Sequence, residues 1–220
     1  KVIGVGGGGS NAVNYMHRLG IKGVDFAVCN TDSQVLDLSP VPNKIQLGTN
    51  LTKGLGAGNN PDMGRNAALE SIEELKKLLS SNTRMVFITA GMGGGTGTGA
   101  APVLAGAAKE MGILTVGIVT TPFLFEGPNR REQAYRGIME MQKNVDTLLI
   151  VCNDKIREMY GDMDIDTAFE QADNVLASAA KGIAEIITVP GKVNVDFQDV
   201  KTVMTNGGVA ILGSSFAEGD

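Results

Sequence analysis

The sequence predicts an α/β fold in which a mostly parallel β-sheet is covered by helices on both faces. Short runs rich in β-branched residues alternate with helical patterns over residues 1–152, which is typical of strand–helix–strand units. Two of the strand-to-helix junctions are rich in glycine. A long helical pattern and the start of a second domain follow. The fold class is therefore a Rossmann-like domain extended by a long central helix.

The predicted strands are nearly continuous apolar runs, as strands buried on both faces are. They cover residues 1–5, 24–30, 44–47, 84–89, 114–120 and 147–152. A last apolar strand is predicted at 209–216. We expect this strand to be unpaired, because residues 190–220 are too few to bury a core of their own.

The predicted helices lie between these strands, at 11–19, 61–79, 98–110 and 130–144. The helix at 61–79 has Asn60 as its cap and Pro61 in its first turn, and Glu73 and Lys77 form an i,i+4 pair. Apolar residues recur at steps of three and four over 165–187. This periodicity predicts one long helix that ends before Pro190, and one short helix is expected after residue 194.

Charge and cysteine content exclude several classes of protein. The net charge is −5 and no basic stripe is present, which argues against nucleic acid as a partner. No apolar run is long enough for direct insertion into a membrane. Cys29 and Cys152 each end an apolar run, and we expect reduced core thiols in a cytoplasmic protein.

The first glycine-rich loop, VIGVGGGGSNAV, joins a strand to a helix. Glycines allow the backbone to approach a ligand closely, and the helix N-terminus then offers free N–H groups to an anion. Gly4, Gly6 and Gly9 also satisfy the GxGxxG spacing of dinucleotide-binding folds. A tight crossing of strand and helix explains the same glycines, and this loop alone does not decide between the two interpretations.

The second loop, ITAGMGGGTGTGAAP, again follows a strand and opens a helix. Thr96 and Thr98 stand among its glycines, and their hydroxyls can donate to phosphate oxygens together with the backbone. Each ordered glycine costs backbone entropy on folding. So many of them favour a phosphate site over close packing alone.

Two further features restrict the class of nucleotide that the loops could bind. The sequence contains no GxxxxGK[ST] motif and no lysine in either loop, and it has two phosphate loops where a dinucleotide dehydrogenase normally has one. These features favour a mononucleotide held mainly by main-chain amides. The segment GLGAGNNPDMG places Gly56, Gly58 and Asn59 before the helix at Pro61, where the turn could close over a terminal phosphate; an ordinary Gly/Asn turn is the alternative.

The motifs GGGGSNAV, AGNNP, GGGTGTG with AAP, and NVDFQD occur in this order, and the chain resembles the bacterial FtsZ branch of the tubulin/FtsZ family along its whole length. The resemblance implies a GTPase that polymerises head-to-tail into filaments of the cell-division ring. It implies a GTPase domain at 1–163, a connecting helix at 164–189, and a catalytic loop with the first part of a truncated second domain at 190–220. The chain is then a fragment.

The resemblance also implies roles for individual residues. Glu126 and Arg130 lie near the ribose and phosphates, and Asn153, Phe169 and Asp173 form the base pocket. Asn194, Asp196 and Asp199 lie in the catalytic loop, which enters the nucleotide site of the neighbouring subunit. The phosphate loops comprise Gly7, Gly8, Gly9, Ser10, Asn11, Gly58, Asn59, Gly93, Gly94, Gly95, Thr96, Gly97, Thr98 and Gly99.

Several of these residues have ordinary structural interpretations. Glu126 and Arg130 at i,i+4 could form only a surface ion pair. Phe169 fits the apolar stripe of the long helix, so core packing competes with ligand binding. Asp196 and Asp199 suit the N-terminus of a short helix, where acids are favourable.

The expected ligands are GTP and GDP, with Mg²⁺ bound mainly through phosphates and water because no carboxylate cage is visible. The resemblance further implies other cell-division partners, reached through a tail beyond residue 220, and a location at the midcell ring. Two alternatives remain at this point. One is an NAD-type oxidoreductase that uses GxGxxG and an acid near Asp32 on the ribose, and the other is a filament protein that binds nucleotide without hydrolysing it.

Overall fold

A computed structural model describes residues 1–80, 82–161, 164–188 and 195–211. Its centre is a seven-stranded sheet in which every neighbouring pair is parallel. The strands are β1 Val2–Val5, β2 Phe26–Asn30, β3 Asn43–Gln46, β4 Met85–Gly91, β5 Leu114–Thr121, β6 Thr147–Cys152 and β7 Gly208–Val209.

The order of the strands across the sheet is β3-β2-β1-β4-β5-β6-β7. The chain builds outward from β1 to β3, returns to the other side of β1 with β4, and then continues outward to β7. Strand order therefore reverses between β1 and β4, and the crevice at the carboxyl ends of two such strands is where ligands bind in open α/β sheets.

Helices cover both faces of the sheet. A 3-10 turn, Leu124–Glu126, follows β5. The α-helices are α1 Gly6–Arg18, α2 Ser33–Leu38, α3 Thr49–Thr52, α4 Pro61–Glu70, α5 Ile72–Ser80, α6 Thr96–Glu110, α7 Pro128–Asn144, α8 Asn153–Tyr160, α9 Ile165–Thr188 and α10 Phe197–Met204.

Each face of the sheet buries its own apolar core. Ile88 and its neighbours pack with Leu104 of α6 and Met141 of α7 on one face. Phe87 and its neighbours pack with Met16 of α1 and with α9 on the other face. Because alternate side chains of one strand enter opposite cores, the central strands β1, β2, β4 and β5 are mostly apolar, and the predicted α/β class is confirmed.

The first helix begins at Gly6, not at Asn11 as predicted. Gly6 has φ +72°, and a Cβ there would lie 2.7 Å from the backbone nitrogen of Gly97. The glycine run therefore forms the first turn of the helix instead of a loop before it, and glycine permits the close approach to α6.

The helix predicted at 61–79 is two helices that meet at Ser71. This residue has φ −96° and ψ 17°, outside the helical range, and its hydroxyl accepts a hydrogen bond from the N–H of Gly48 at 3.0 Å. A serine side chain that bonds to distant backbone competes with helix continuation. The short helices α2, α3 and α8 were not predicted, because each has too few turns to show an apolar period.

The prediction that the strand at 209–216 is unpaired is wrong. Gly208 and Val209 pair with Thr147 and Leu148 of β6, and the N–H of Ala210 donates to the carbonyl of Leu148 at 2.9 Å. The described start of this segment thus extends the main sheet, while residues 212–216 lie outside the described residues. The division at 163 and 189 stays a prediction.

Both cysteines are free. Cys29 is buried, and burial raises the pKa of its thiol to about 12. Cys152 is exposed, so the expectation of a core thiol is wrong for this residue, which lies at the last position of β6 where the chain leaves the sheet. None of the helices within the described ranges is long and apolar enough to cross a membrane.

Candidate nucleotide site at the carboxyl edge of the sheet

The two glycine-rich loops meet where strand order reverses. The first follows β1 and the second follows β4, which are neighbours in the sheet. A Cβ on Gly6 would lie 2.7 Å from the backbone nitrogen of Gly97, and a Cβ on Gly8 would lie 3.3 Å from Cα of Gly91. The loops are therefore in backbone-to-backbone contact, and the absence of a side chain at Gly6 permits the closest approach.

A cavity of about 470 Å³ opens between these loops, the start of α7 and the first turns of α9. Its wall combines the residues that follow β1, β4, β5 and β6, so it lies at the carboxyl edge of the sheet. The predicted site residues that line it are Gly7, Gly8, Asn11, Gly94, Gly95, Thr96, Gly97, Glu126, Arg130, Asn153, Phe169 and Asp173.

Other predicted loop residues lie behind the cavity wall. A Cβ on Gly9 would collide with the carbonyl of Thr89, and one on Gly99 with the carbonyl of Pro61. Ser10 is fully buried and its hydroxyl has no partner among the described residues. Close packing therefore explains Gly9 and Gly99, and a role for their backbone in ligand binding stays a prediction.

Thr98 supports the second loop from below. Its hydroxyl accepts a hydrogen bond from the N–H of Gly93 at 2.8 Å, and Gly93 has φ +110°, which favours glycine. Thr98 and Gly93 do not line the cavity, unlike Thr96. The two threonines therefore differ in role. The Thr96 hydroxyl is available to the cavity, whereas the Thr98 hydroxyl supports the loop backbone.

The turn before α4 lies beside the second loop. A Cβ on Gly95 would lie 2.8 Å from both Cβ of Ala57 and N of Asn60. Gly58 and Asn59 have φ +57° and +59° and do not line the cavity. Closure of this turn over a terminal phosphate stays a prediction.

Glu126 and Arg130 form an ion pair of 2.7 Å at one side of the cavity. Glu126 also accepts a hydrogen bond from the N–H of Phe123 at 2.9 Å, which fixes the carboxylate on its 3-10 turn. The Arg130 side chain keeps 46% of its surface exposed. The ion-pair interpretation is confirmed, and the pair nevertheless lines the cavity, so the two interpretations are compatible.

The far end of the cavity contains Asn153, Phe169 and Asp173. Asn153 is 4% exposed, and its side-chain oxygen has no hydrogen-bond partner among the described residues. Leaving a buried acceptor unsatisfied costs about 1–3 kcal/mol, so such an atom indicates a ligand or ordered water. In the sequence analysis, Asn153 was predicted as a site residue only through the family resemblance.

Phe169 and Asp173 lie one turn apart on α9. Phe169 is 40% exposed and contacts the Phe123 ring edge-to-face at 5.2 Å, so it is not a core residue. Burial raises the pKa of the Asp173 carboxyl to about 7, with a further increase from Glu170 and an opposing effect of Arg18. A buried carboxyl of this kind favours a ligand that supplies hydrogen-bond donors.

Asp196 and Asp199 lie at the opposite edge of the sheet. Asp196 caps α10 and accepts from the N–H of Asp199 at 2.9 Å, and Asp199 accepts from the N–H of Asp196 at 3.1 Å. The helix-terminus interpretation is therefore confirmed. Both side chains belong to exposed residues. Asn194, the third predicted catalytic residue, lies outside the described residues.

The position of α10 follows from its neighbours. The Phe197 ring lies under the guanidinium of Arg84, at 5.0 Å, just before β4 begins. The hydroxyl of Thr147, the first residue of β6, donates to the carbonyl of Met204 at 2.8 Å. The seven residues of β4 separate this amino edge from the cavity by roughly 20 Å.

Sequence reasoning missed part of the cavity wall. Met92, Thr120, Pro122, Ala172 and Leu176 line it without having been predicted. Thr120 and Pro122 could have been found, because they lie at and just beyond the end of β5 and the carboxyl ends of parallel strands meet at one edge. Ala172 and Leu176 carried no signal beyond the apolar period of α9.

Asp32, near which the dinucleotide alternative places its ribose-binding acid, has a structural role. The carboxylate of Asp32 accepts the N–H groups of Gln34 and Val35, at 2.9 and 3.2 Å, and so caps α2. The described residues include no group of three or more His, Cys, Asp or Glu side chains that could hold a metal ion.

A larger cavity of about 660 Å³ lies between α4, α5, α6 and α7. It contains Thr98 and Gly99 but neither Gly7 nor Gly8, and its charged residues have both signs. We place the candidate site in the smaller cavity because both glycine loops and the unpaired Asn153 converge there.

Comparisons with known proteins agree with this geometry. The GTPase domain of the tubulin/FtsZ family matches residues 1–161. The cell division protein FtsZ of Porphyromonas gingivalis is 53% identical over the whole chain, which covers 48% of that protein. FtsZ of Aquifex aeolicus is 52% identical, again over the whole chain, which covers 60% of it.

A solved FtsZ dimer from M. jannaschii has a TM-score of 0.90 and 47% identity, and it is matched over 94% of this chain and 60% of its own. CetZ2 from Haloferax volcanii has a TM-score of 0.81 at 23% identity, which shows a shared fold. The chain thus spans about half to three-fifths of the length of its similar relatives.

Proposed function

The chain belongs to the tubulin/FtsZ family, and from this membership we propose that it binds GTP and GDP and hydrolyses GTP in a polymer of its own kind. The observation that carries the proposal is the cavity in which two glycine loops, the Glu126–Arg130 pair and Asp173 converge. Its phosphate end and its base end make separate contributions.

The phosphate end offers two helix N-termini. Both α1 and α6 begin at the glycine loops, so their free N–H groups and positive dipole ends point at the same space. Thr96 adds a hydroxyl and Arg130 a positive charge. This set suits a di- or triphosphate without a lysine.

The base end selects guanine. A carboxylate at Asp173 accepts from both N1–H and the exocyclic amine of guanine, whereas adenine lacks that pair of donors. The unpaired oxygen of Asn153 accepts a further donor, and the exposed part of the Phe169 ring offers an apolar surface to the base.

Mg²⁺ fits this site only as a partner of the phosphates. The lining oxygens are mostly hydroxyls and amides, and Glu126 is paired with Arg130. When bound through phosphate oxygens and water, the ion neutralises charge on the transferring phosphoryl group. The chain's own residues hold the nucleotide and orient it.

Hydrolysis needs a second subunit. Asp196 and Asp199 are exposed at the amino edge, about one sheet length from the cavity of their own chain. Head-to-tail stacking places the amino edge of one subunit on the carboxyl edge of the next, and the acids then orient a water against the bound GTP. Asn194 belongs to the same proposed loop.

The cellular role follows from the relatives, whose name is cell division protein FtsZ. We propose a cytoskeletal filament of the division ring in the cytoplasm at midcell. Its main partner is another copy of the chain, and other division proteins bind through segments beyond those present here.

Extraction of the purified protein and identification of the bound nucleotide by mass tests this function. We expect GDP or GTP. Recovery of NAD, or of adenine nucleotides alone, would contradict the proposal. Phosphate release from GTP, measured with and without a crowding agent that forces assembly, distinguishes a GTPase from a filament protein that only binds nucleotide.

A further inference from the structure

A buried pair of hydroxyl groups joins the end of β2 to the second glycine loop. The oxygens of Thr31 and Thr96 lie 2.6 Å apart, although the two residues are 65 positions apart in sequence. Thr31 is fully buried and Thr96 is 9% exposed. Only Thr96 lines the cavity, so Thr31 reaches a ligand through Thr96 alone.

The backbone of Thr31 is held in place from the other side. Its carbonyl accepts the hydroxyl of Thr52 at 3.3 Å and the N–H of Gly56 at 3.2 Å. The neighbouring Ser33 N–H donates to the carbonyl of Gly54 at 3.1 Å. These bonds fix Thr31 against the segment that precedes α4, and its side chain has a defined position under Thr96.

The direction of the hydrogen bond decides what Thr96 can offer. A hydroxyl has one proton to donate and two acceptor lone pairs. If Thr96 donates to Thr31, it has no proton left for a ligand; if Thr31 donates to Thr96, the Thr96 proton is free. Within the described part of the chain, the Thr31 hydroxyl has no second hydrogen-bond partner, so its proton has only Thr96 as a destination.

We propose that Thr31 is a positioning residue that donates to Thr96 and thereby directs the Thr96 proton towards a phosphate oxygen of the nucleotide. The inference rests on the proposed function. In such a chain of donors each hydrogen bond polarises the next, and a bond to a charged acceptor is the stronger kind. Thr31 thus acts on phosphate and not on the base.

The test uses Thr31→Val, which keeps the shape and removes the hydroxyl, and Thr31→Ser, which keeps the hydroxyl. Thr115→Val is the matched control, since Thr115 is also fully buried and its hydroxyl donates to the carbonyl of Ile113 at 2.9 Å. Affinities for GDP and for guanosine are measured by calorimetry or NMR titration. We expect Thr31→Val to bind GDP about tenfold more weakly and guanosine equally well.

Thr31→Ser and Thr115→Val should bind both ligands like the unchanged protein. In a Thr96→Val background, Thr31→Val should cause no further loss, because Thr31 acts only through Thr96. If Thr31→Val does not fold, Thr31→Ala provides a smaller variant without the hydroxyl.

Equal GDP affinity in the variant lacking the hydroxyl overturns the inference and leaves the proposed function intact. An equal loss for guanosine, or failure of Thr31→Ser to restore binding, also overturns it, because either result indicates a general structural role. If the unchanged protein binds no guanine nucleotide, the proposed function is wrong and the inference with it.

Discussion

The carboxyl and amino edges of the same sheet differ in how they are built. At the carboxyl edge, glycine loops, a buried unpaired amide and a half-buried carboxyl surround one cavity. At the amino edge, Asp196 and Asp199 are exposed and bond to each other's backbone. One edge surrounds a cavity, whereas the other presents exposed acids at a helix cap. Under the proposed function, these are the two halves of a hydrolytic site, and they lie at opposite ends of one chain.

Removal of the charge at Asp199 is the strongest test of this difference. Asp199→Asn keeps an oxygen that can accept the N–H of Asp196, so the α10 cap is retained. We expect GTP turnover to fall about a thousandfold, the usual size of a lost acid–base group, with unchanged GTP affinity.

Phosphate release and nucleotide titration measure the two effects. Glu185→Gln is a matched control, because Glu185 is an exposed acid on α9 that pairs with Lys181. Loss of GTP affinity in Asp199→Asn would place this residue in its own subunit's site.

A negative charge placed in the cavity should weaken nucleotide binding and leave the acids of the amino edge unchanged. A Cβ on Gly7 meets no atom within 4 Å, so a side chain can begin at this position without a clash at its first carbon. Gly7→Glu sets a carboxylate against the phosphates, and like charges in contact cost several kcal/mol. We expect GDP affinity to fall at least about a hundredfold.

Gly7→Gln, which has the same size without the charge, separates repulsion from obstruction and should lose far less affinity. The acids of the amino edge remain intact in both variants. Equal losses in Gly7→Glu and Gly7→Gln would show that the phosphates lie elsewhere.

The base end should show a smaller effect. Asp173→Ala removes a charged hydrogen-bonding partner, worth about 1.5–3 kcal/mol, so GDP binding should weaken about tenfold or more. ATP should remain a poor ligand in both proteins. Competition titration with labelled GDP measures the affinity of each protein. Unchanged GDP affinity in Asp173→Ala would show that Asp173 does not contact the base.

The smallest expected effect is the pH dependence of GDP binding. Burial raises the pKa of Asp173 to about 7, and guanine requires the ionised form. Affinity should therefore decrease as pH falls below about 7, by at most about tenfold per pH unit. Asp173→Ala serves as the control for titration of the phosphates and should lose this part of the dependence.

The same group affects stability with the opposite sign. In the folded chain Asp173 holds its proton up to a higher pH than in the unfolded chain. Between about pH 4 and pH 7 the folded state binds more protons, so this group's contribution makes the ligand-free protein less stable as pH rises through that window. Asp173→Asn should flatten this slope in denaturant titrations.

The functional residues of the two edges also differ in how well the sequence predicts them. Glycine loops after apolar strands identify the carboxyl edge, because backbone approach to phosphate requires a residue type that stands out in sequence. Asp196 and Asp199 read equally well as a helix cap, and only the family resemblance gave them a catalytic role. The pairing of β7 with β6 and the break at Ser71 depend on distant backbone partners, which no local pattern reveals.

Mixing two inactive variants tests the shared site most directly. Asp199→Asn has an intact cavity and lacks one of the two water-orienting acids, whereas Gly7→Glu has both acids and no working cavity. Under conditions that force assembly, each alone should release almost no phosphate from GTP, and the mixture should recover a clear fraction of the activity. Two results together would contradict a site built from two subunits. The mixture would be no more active than the sum of the two variants, and the turnover per chain of the unchanged protein would not depend on its concentration.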